Sequence, residues 1–73
     1  MSALDDDSVH RRVGERVRAL RISRGLTQLR LAERSGFSRS SVANVEAGRQ
    51  NVSLRQLCAL AGGLDVPVEA LFA

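Results

Sequence analysis

The chain of 73 residues has no lysine, tryptophan or tyrosine, and it carries one cysteine, one proline and two phenylalanines. A single cysteine cannot close an internal disulfide or complete a zinc site, so stability has to come from packing, capping and association. The expected setting is a reducing, intracellular one. No apolar run approaches the roughly 20 residues that a membrane span needs. The start, Met1-Ser2-Ala3-Leu4-Asp5-Asp6-Asp7, is acidic where a secretory signal is basic. These absences predict a soluble, cytoplasmic protein. β-Branched residues never alternate over a useful length, which excludes a sheet. There is no glycine-rich phosphate loop, paired-carboxylate site or metal-ligand spacing, and His10 has no second histidine to work with. The sequence therefore predicts no enzyme, no cofactor, no metal and no small-molecule ligand.

What is present is arginine. All eleven basic residues are arginine, every one lies between Arg11 and Arg55, and the acids in that segment are Glu15, Glu33 and Glu46. The segment has a net charge of +8 against +3 for the chain, with Asp5, Asp6, Asp7, Asp65 and Glu69 outside it. A positive field concentrated in this way fits one anion-binding face and a nucleic-acid partner.

The length allows one domain, near the lower limit for burying an adequate core. Residues 1–7 read as a flexible acidic tail whose charge suits a helix N-terminus, and 8–73 as the folded unit. Val9, Val13, Val17 and Leu20 share one face of a first helix that begins near Ser8 and ends before Gly25, with Ile22 extending the apolar contact. A second helix runs from a cap at Thr27 to a stop at Gly36, with Leu31 and Ala32 inward. Ser38 caps a third helix, whose inward residues are Val42 and Val45 and which Gly48 closes. Phe37 alone separates the stop from the next cap, a wedge between two short helices in helix-turn-helix geometry.

After the loop Arg49-Gln50-Asn51-Val52, the sequence Ser53-Leu54-Arg55-Gln56 is a capping box. It opens a fourth helix with Leu54, Leu57, Leu60, Ala61 and Leu64 on its inner face and Cys58 as a small packed hydrophobe. Gly62-Gly63 should weaken its last turn by about 1 kcal/mol per glycine. Pro67 sets the backbone for a final short turn or helix, Val68 to Phe72.

Gly25-Leu26-Thr27-Gln28, Leu31-Ala32, Gly36, Ser38, Val42, Glu46, Gly48, Leu54, Leu57, Leu60-Ala61, Leu64 and Leu71-Phe72 together carry a resemblance. From about Val9 to Phe72 the chain resembles the phage-repressor and Cro-like, xenobiotic-response-element type, helix-turn-helix DNA-binding family. The resemblance implies an all-α, compact five-helix, lambda-repressor-like domain whose helices 2 and 3 form the reading unit. It implies a third helix in the major groove, with Ser38, Arg39, Ser40 and Asn44 facing bases. Arg39 suits the two acceptors of guanine, and Asn44 suits adenine.

Thr27, Gln28, Ser41, Arg49, Gln50 and Asn51 fall at positions that hold the DNA backbone in such domains, and Arg21 and Glu46 at those of a structural ion pair. The implied protein is a transcriptional regulator, bacterial or phage-encoded, bound to double-stranded DNA as a homodimer on a palindromic operator. Val66, Val68, Leu71 and Phe72 are the expected dimer surface. In size the chain is similar to restriction-modification controller proteins. The rival reading is a protein-interaction module, an antitoxin or adaptor, that uses the apolar C-terminal surface.

Overall fold

Caps and left-handed stops divide the chain into short helices. The computed structural model describes residues 6–73, with side chains from Ser8 onward. The helices are α1 (Asp6–Ser23), α2 (Gln28–Ser35), α3 (Arg39–Glu46) and α4 (Leu54–Leu64), followed by a 3-10 turn (Val68–Phe72). Thr27, Ser38 and Ser53 each accept a backbone N–H in the first turn of the helix that follows, and Gln56 returns a bond to the Ser53 N–H to complete the capping box. Gly36 ends α2 at φ 75°, while Asp65 takes the same left-handed role after α4 at φ 60°.

The expectation of five α-helices is corrected to four among the described residues. Pro67 has no N–H to extend a helix backward, and the five residues after it close an i to i+3 bond, Ala70 N–H to the Pro67 carbonyl at 3.0 Å. The first helix also starts earlier than Ser8, at Asp6. The flexible tail expected over 1–7 falls largely on residues 1–5, outside the described residues.

Helices of eight residues do not persist alone in water, so α2 and α3 depend on what they bury. Val13 and Val17 from α1, Leu31 and Ala32 from α2, Val42 and Val45 from α3, Leu57, Leu60, Ala61 and Leu64 from α4, and Leu71 from the 3-10 turn form one core. Phe37, half-buried, packs against it from the turn between α2 and α3.

Three apolar assignments are corrected. Ile22 is 51% exposed and Leu54 69% exposed, because each lies at a helix end beyond the packed layer. Cys58 faces solvent, turned about 100° from the buried Leu57, so it is not a core residue.

Two glycines allow the helices to approach. At Gly14, in the middle of α1, a Cβ would lie 2.2 Å from the Val45 carbonyl oxygen, so α1 crosses the end of α3 backbone to backbone. At Gly63 a Cβ would meet Leu31 Cδ1 at 3.0 Å and Ser35 Cβ at 3.2 Å, so the weakness expected of the glycine pair is offset at Gly63 by close packing of α4 on α2. Among the described residues no helix is long and apolar enough to cross a membrane.

Candidate nucleic-acid interface

The outer surface of α3 follows from which of its residues the core takes. Val42, Val45 and Glu46 are buried, and successive side chains turn by about 100° around the helix. The opposite side therefore carries Ser40, Asn44 and Ala47, all exposed, with Arg39 exposed on its flank in the first turn. This is a small-residue face with one long cation and one amide. It can approach another surface closely and still offer both donors and acceptors.

Ser38 sits just before this face, but its hydroxyl is already engaged. Its Oγ accepts from the Ser41 N–H at 3.0 Å, donates to the Ser41 Oγ at 3.0 Å and lies 3.2 Å from the Ser40 Oγ. A residue expected to face a base is thus built into the cap that starts α3. Ser41 is half-buried beside it.

The other end of α3 is clamped. The Glu46 side chain is 4% exposed, and Arg21 on α1 reaches it with Nε to Oε2 at 2.6 Å and Nη2 to Oε1 at 3.1 Å. Such a fork fixes both distance and orientation, which a lysine could not do. The third guanidinium nitrogen, Nη1, donates to the Leu26 carbonyl at 2.8 Å, so the same arginine holds the loop that leads into α2. Gln28 completes the cluster, its Nε2 donating to Glu46 Oε1 at 3.1 Å. The sequence offered no sign of this last bond.

At the start of α2, Thr27 Oγ1 accepts from the Arg30 N–H at 3.0 Å, which leaves the side chain serving as a cap. Arg49 and Asn51 are exposed and Gln50 half-buried in the loop after α3. Gln50 also lines an open cleft of about 320 Å³ between the helix-turn-helix and α4, with Gly36, Phe37, Ser38, Ser41, Arg55, Gln56 and Ala59 as the other walls. Arg55 also lines this cleft; it ends the arginine-rich segment and belongs to the Ser53–Gln56 capping box. Among the residues that line it, Arg55 is the one charged side chain.

The expected dimer surface divides. Leu71 is 1% exposed and fills the core of its own chain, whereas Val66 and Val68 are half-buried and Phe72 is 52% exposed. Leu71 is therefore corrected from a surface residue to a core residue. Its neighbour Phe72 is the exposed apolar group. Among the described residues no three His, Cys, Asp or Glu side chains stand together as metal ligands.

Two short helices joined by a tight turn, the second clamped inward and polar outward, define a helix-turn-helix unit of DNA-binding proteins. The chain belongs to the helix-turn-helix family of transcriptional regulators, which matches it over residues 17–71. It is 48% identical over 59 residues to the immunity repressor protein of Bacillus phage phi105, a match that covers 81% of this chain and 41% of that one. The chain thus spans about two fifths of that repressor's length.

Among solved structures it is similar to the restriction-modification controller protein C.AhdI from Aeromonas hydrophila, with TM-score 0.84 and 44% identity over 86% of this chain and 96% of that one. It is also similar to the clp gene regulator ClgR from Corynebacterium glutamicum, with TM-score 0.83 and 28% identity over 86% of this chain and 82% of that one.

Proposed function

We propose that the chain is a sequence-specific regulator that binds double-stranded DNA as a homodimer on a palindromic operator, with α3 in the major groove. The observation that carries this reading is the outer face of α3: exposed Arg39, Ser40 and Asn44 on a helix whose far end is fixed by the buried Glu46. Arg39 reads guanine through its fork, Asn44 reads adenine, and Ser40 bonds a base or phosphate according to register. Ser38 contributes by setting the start of α3.

Thr27, Gln28, Ser41, Arg49, Gln50 and Asn51 hold the sugar-phosphate backbone, which positions the reading helix without choosing the sequence. One module this small makes few base contacts, so two-fold pairing is needed for specific affinity and sets the reading helices about 34 Å apart. Phe72, with the half-buried Val66 and Val68, supplies an apolar surface for that pairing. The likeness to an immunity repressor and to a restriction-modification controller supports regulation of this kind by a bacterial or phage-encoded protein in the cytoplasm.

The test is selection of bound sites from random DNA, followed by arginine variants on the selected site. Arg39→Ala should cost about 1 to 3 kcal/mol and relax the preference at one position of each half-site. Arg49→Ala should weaken binding to all sequences alike and lower the salt slope by about 1. Unchanged affinity and preference in Arg39→Ala would remove the base-reading role and favour a protein partner instead.

A further inference from the structure

A buried carboxylate close to a DNA-binding surface opposes phosphate unless something else uses it. The two carboxyl oxygens of Glu46 accept from three donors: Arg21 Nε, Arg21 Nη2 and Gln28 Nε2. The third bond decides which way the Gln28 amide faces. An amide carries an acceptor on one side and two N–H donors on the other, and only the donor side can meet a carboxylate. With one N–H engaged by Glu46, the second N–H remains, held on a side chain that is half-buried at the first position of α2.

We infer that Glu46 is a positioning residue for the backbone grip: it orients Gln28 so that the amide's second N–H is presented to a DNA phosphate. This rests on the DNA-binding reading given above and deepens it. The guanidinium of Arg21 neutralises the carboxylate, so Glu46 can hold Gln28 without repelling DNA. The same guanidinium holds the Leu26 carbonyl two residues before Gln28, which fixes the backbone that carries the amide. One buried cluster thus sets α3 and the start of α2 together. The groups that grip phosphate and those that read bases are mounted on a common support, and DNA meets a grip that is already formed.

The experiment is a double-mutant cycle on DNA affinity with Glu46→Gln, Gln28→Ala and the pair, measured on the selected operator with the folded fraction known from circular dichroism. A neutral partner at position 46 lets the Gln28 amide turn either way. Glu46→Gln and Gln28→Ala should each lose roughly tenfold to a hundredfold in affinity, the size of a charge-assisted bond, with the salt slope unchanged because no phosphate-contacting charge is removed. The pair should lose no more than the worse single variant. Losses that multiply would overturn the inference, as would unchanged affinity of the folded Glu46→Gln chain.

The side-chain amide of Gln28 supplies a reading that stability alone does not move. In the DNA-free wild type, one of its two proton resonances should be displaced from the positions of exposed glutamines, and the other should move when operator is added. If Glu46→Gln does not fold, this measurement decides alone, and a Gln28 amide that resembles an exposed one in the free protein refutes the positioning role. A wild type that binds no DNA defeats the function proposed above, whereas a wild type that binds DNA with multiplicative losses defeats only the role of Glu46.

Discussion

Replacing Gly14 by alanine sets helix preference against packing, and the two predict opposite signs. Gly14 lies inside α1, where alanine is favoured over glycine by about 1 kcal/mol, so propensity alone makes the variant more stable. The new Cβ, however, would stand 2.2 Å from the Val45 carbonyl oxygen and 2.9 Å from that of Glu46, where real Cβ contacts essentially never come under 3.0 Å. Both neighbours are backbone, so no side-chain rotation relieves the overlap. α1 and α3 must separate by most of an ångström, which opens the layer made by Val13, Val17, Val42 and Val45.

Overpacking of this kind costs about 1 to 3 kcal/mol, and a backbone clash belongs at or above the upper end. Set against the propensity gain, the net loss is about 2 kcal/mol, or a fall in Tm of roughly 10 °C for a domain of this size. Gly62 is the internal control. It is exposed, lies in α4 and has nothing within 4 Å of its virtual Cβ, so Gly62→Ala should gain about 0.5 to 1 kcal/mol. Urea unfolding followed by circular dichroism, at several protein concentrations, measures both. A Gly14→Ala chain as stable as the wild type, or more so, would refute the close crossing of α1 and α3.

Two further substitutions separate stability from recognition. Ser53→Ala and Ser38→Ala each remove a cap and should each cost about 1 kcal/mol in denaturant unfolding, but only Ser38→Ala should also reduce operator affinity of the folded chain, because that cap starts the helix bearing Arg39 and Ser40. Equal effects on DNA binding would contradict the division of roles between α3 and α4. Phe72→Asp should leave the fold intact, since the side chain is 52% exposed, and shift the sedimentation of the protein toward the monomer. A wild type that stays monomeric even on its operator removes the dimer.

Local chemistry was legible in the sequence, and distant contacts were not. Thr27, Ser38, Ser53 and Gln56 announced their caps because a capping bond spans three residues, a separation that the sequence displays directly. Gly36 announced its turn because a left-handed residue is needed at the end of a helix. Leu54 and Cys58 were misread for a related reason: periodicity locates a stripe, but its edges depend on where the neighbouring element ends. Leu71 was misassigned because an apolar residue after the last helix reads equally as core or as interface.

The bond from Gln28 to Glu46 crosses 18 positions and joins two residues whose types fit many partners, so no local pattern encodes it. Gly14 did leave a trace. A glycine between the inward Val13 and Val17 is a poor helix former at a helix centre, and such a glycine marks the close approach of another backbone. The number of helices depended on Val68–Phe72, where the preceding Pro67 and short length favour a 3-10 turn over an α-helix.

The arginines show how composition can be right about a partner and incomplete about its own residues. Eleven of them suggested a field for DNA, yet three bond to backbone carbonyls of their own chain. Arg16 Nε donates to the Ala70 carbonyl at 2.9 Å, Arg21 Nη1 to that of Leu26 at 2.8 Å, and Arg34 Nε to that of Gly63 at 2.6 Å. Each joins separate elements: α1 to the 3-10 turn, α1 to the loop before α2, and α2 to α4. Each also satisfies a carbonyl at or beyond a helix end, where the backbone has no partner of its own.

A lysine ammonium could reach such a carbonyl but would offer no second donor in a fixed plane, and at Arg21 the fork is used on all three nitrogens at once. In a domain too small for a large core, these side chains act as staples while their charge adds to the field felt by DNA. The net charge of the segment therefore overstates the number of cations free to contact phosphate. Arg49, exposed in the loop after α3, is the one whose removal should register in the salt dependence of binding, whereas removal of Arg39, exposed on α3, should register in base preference.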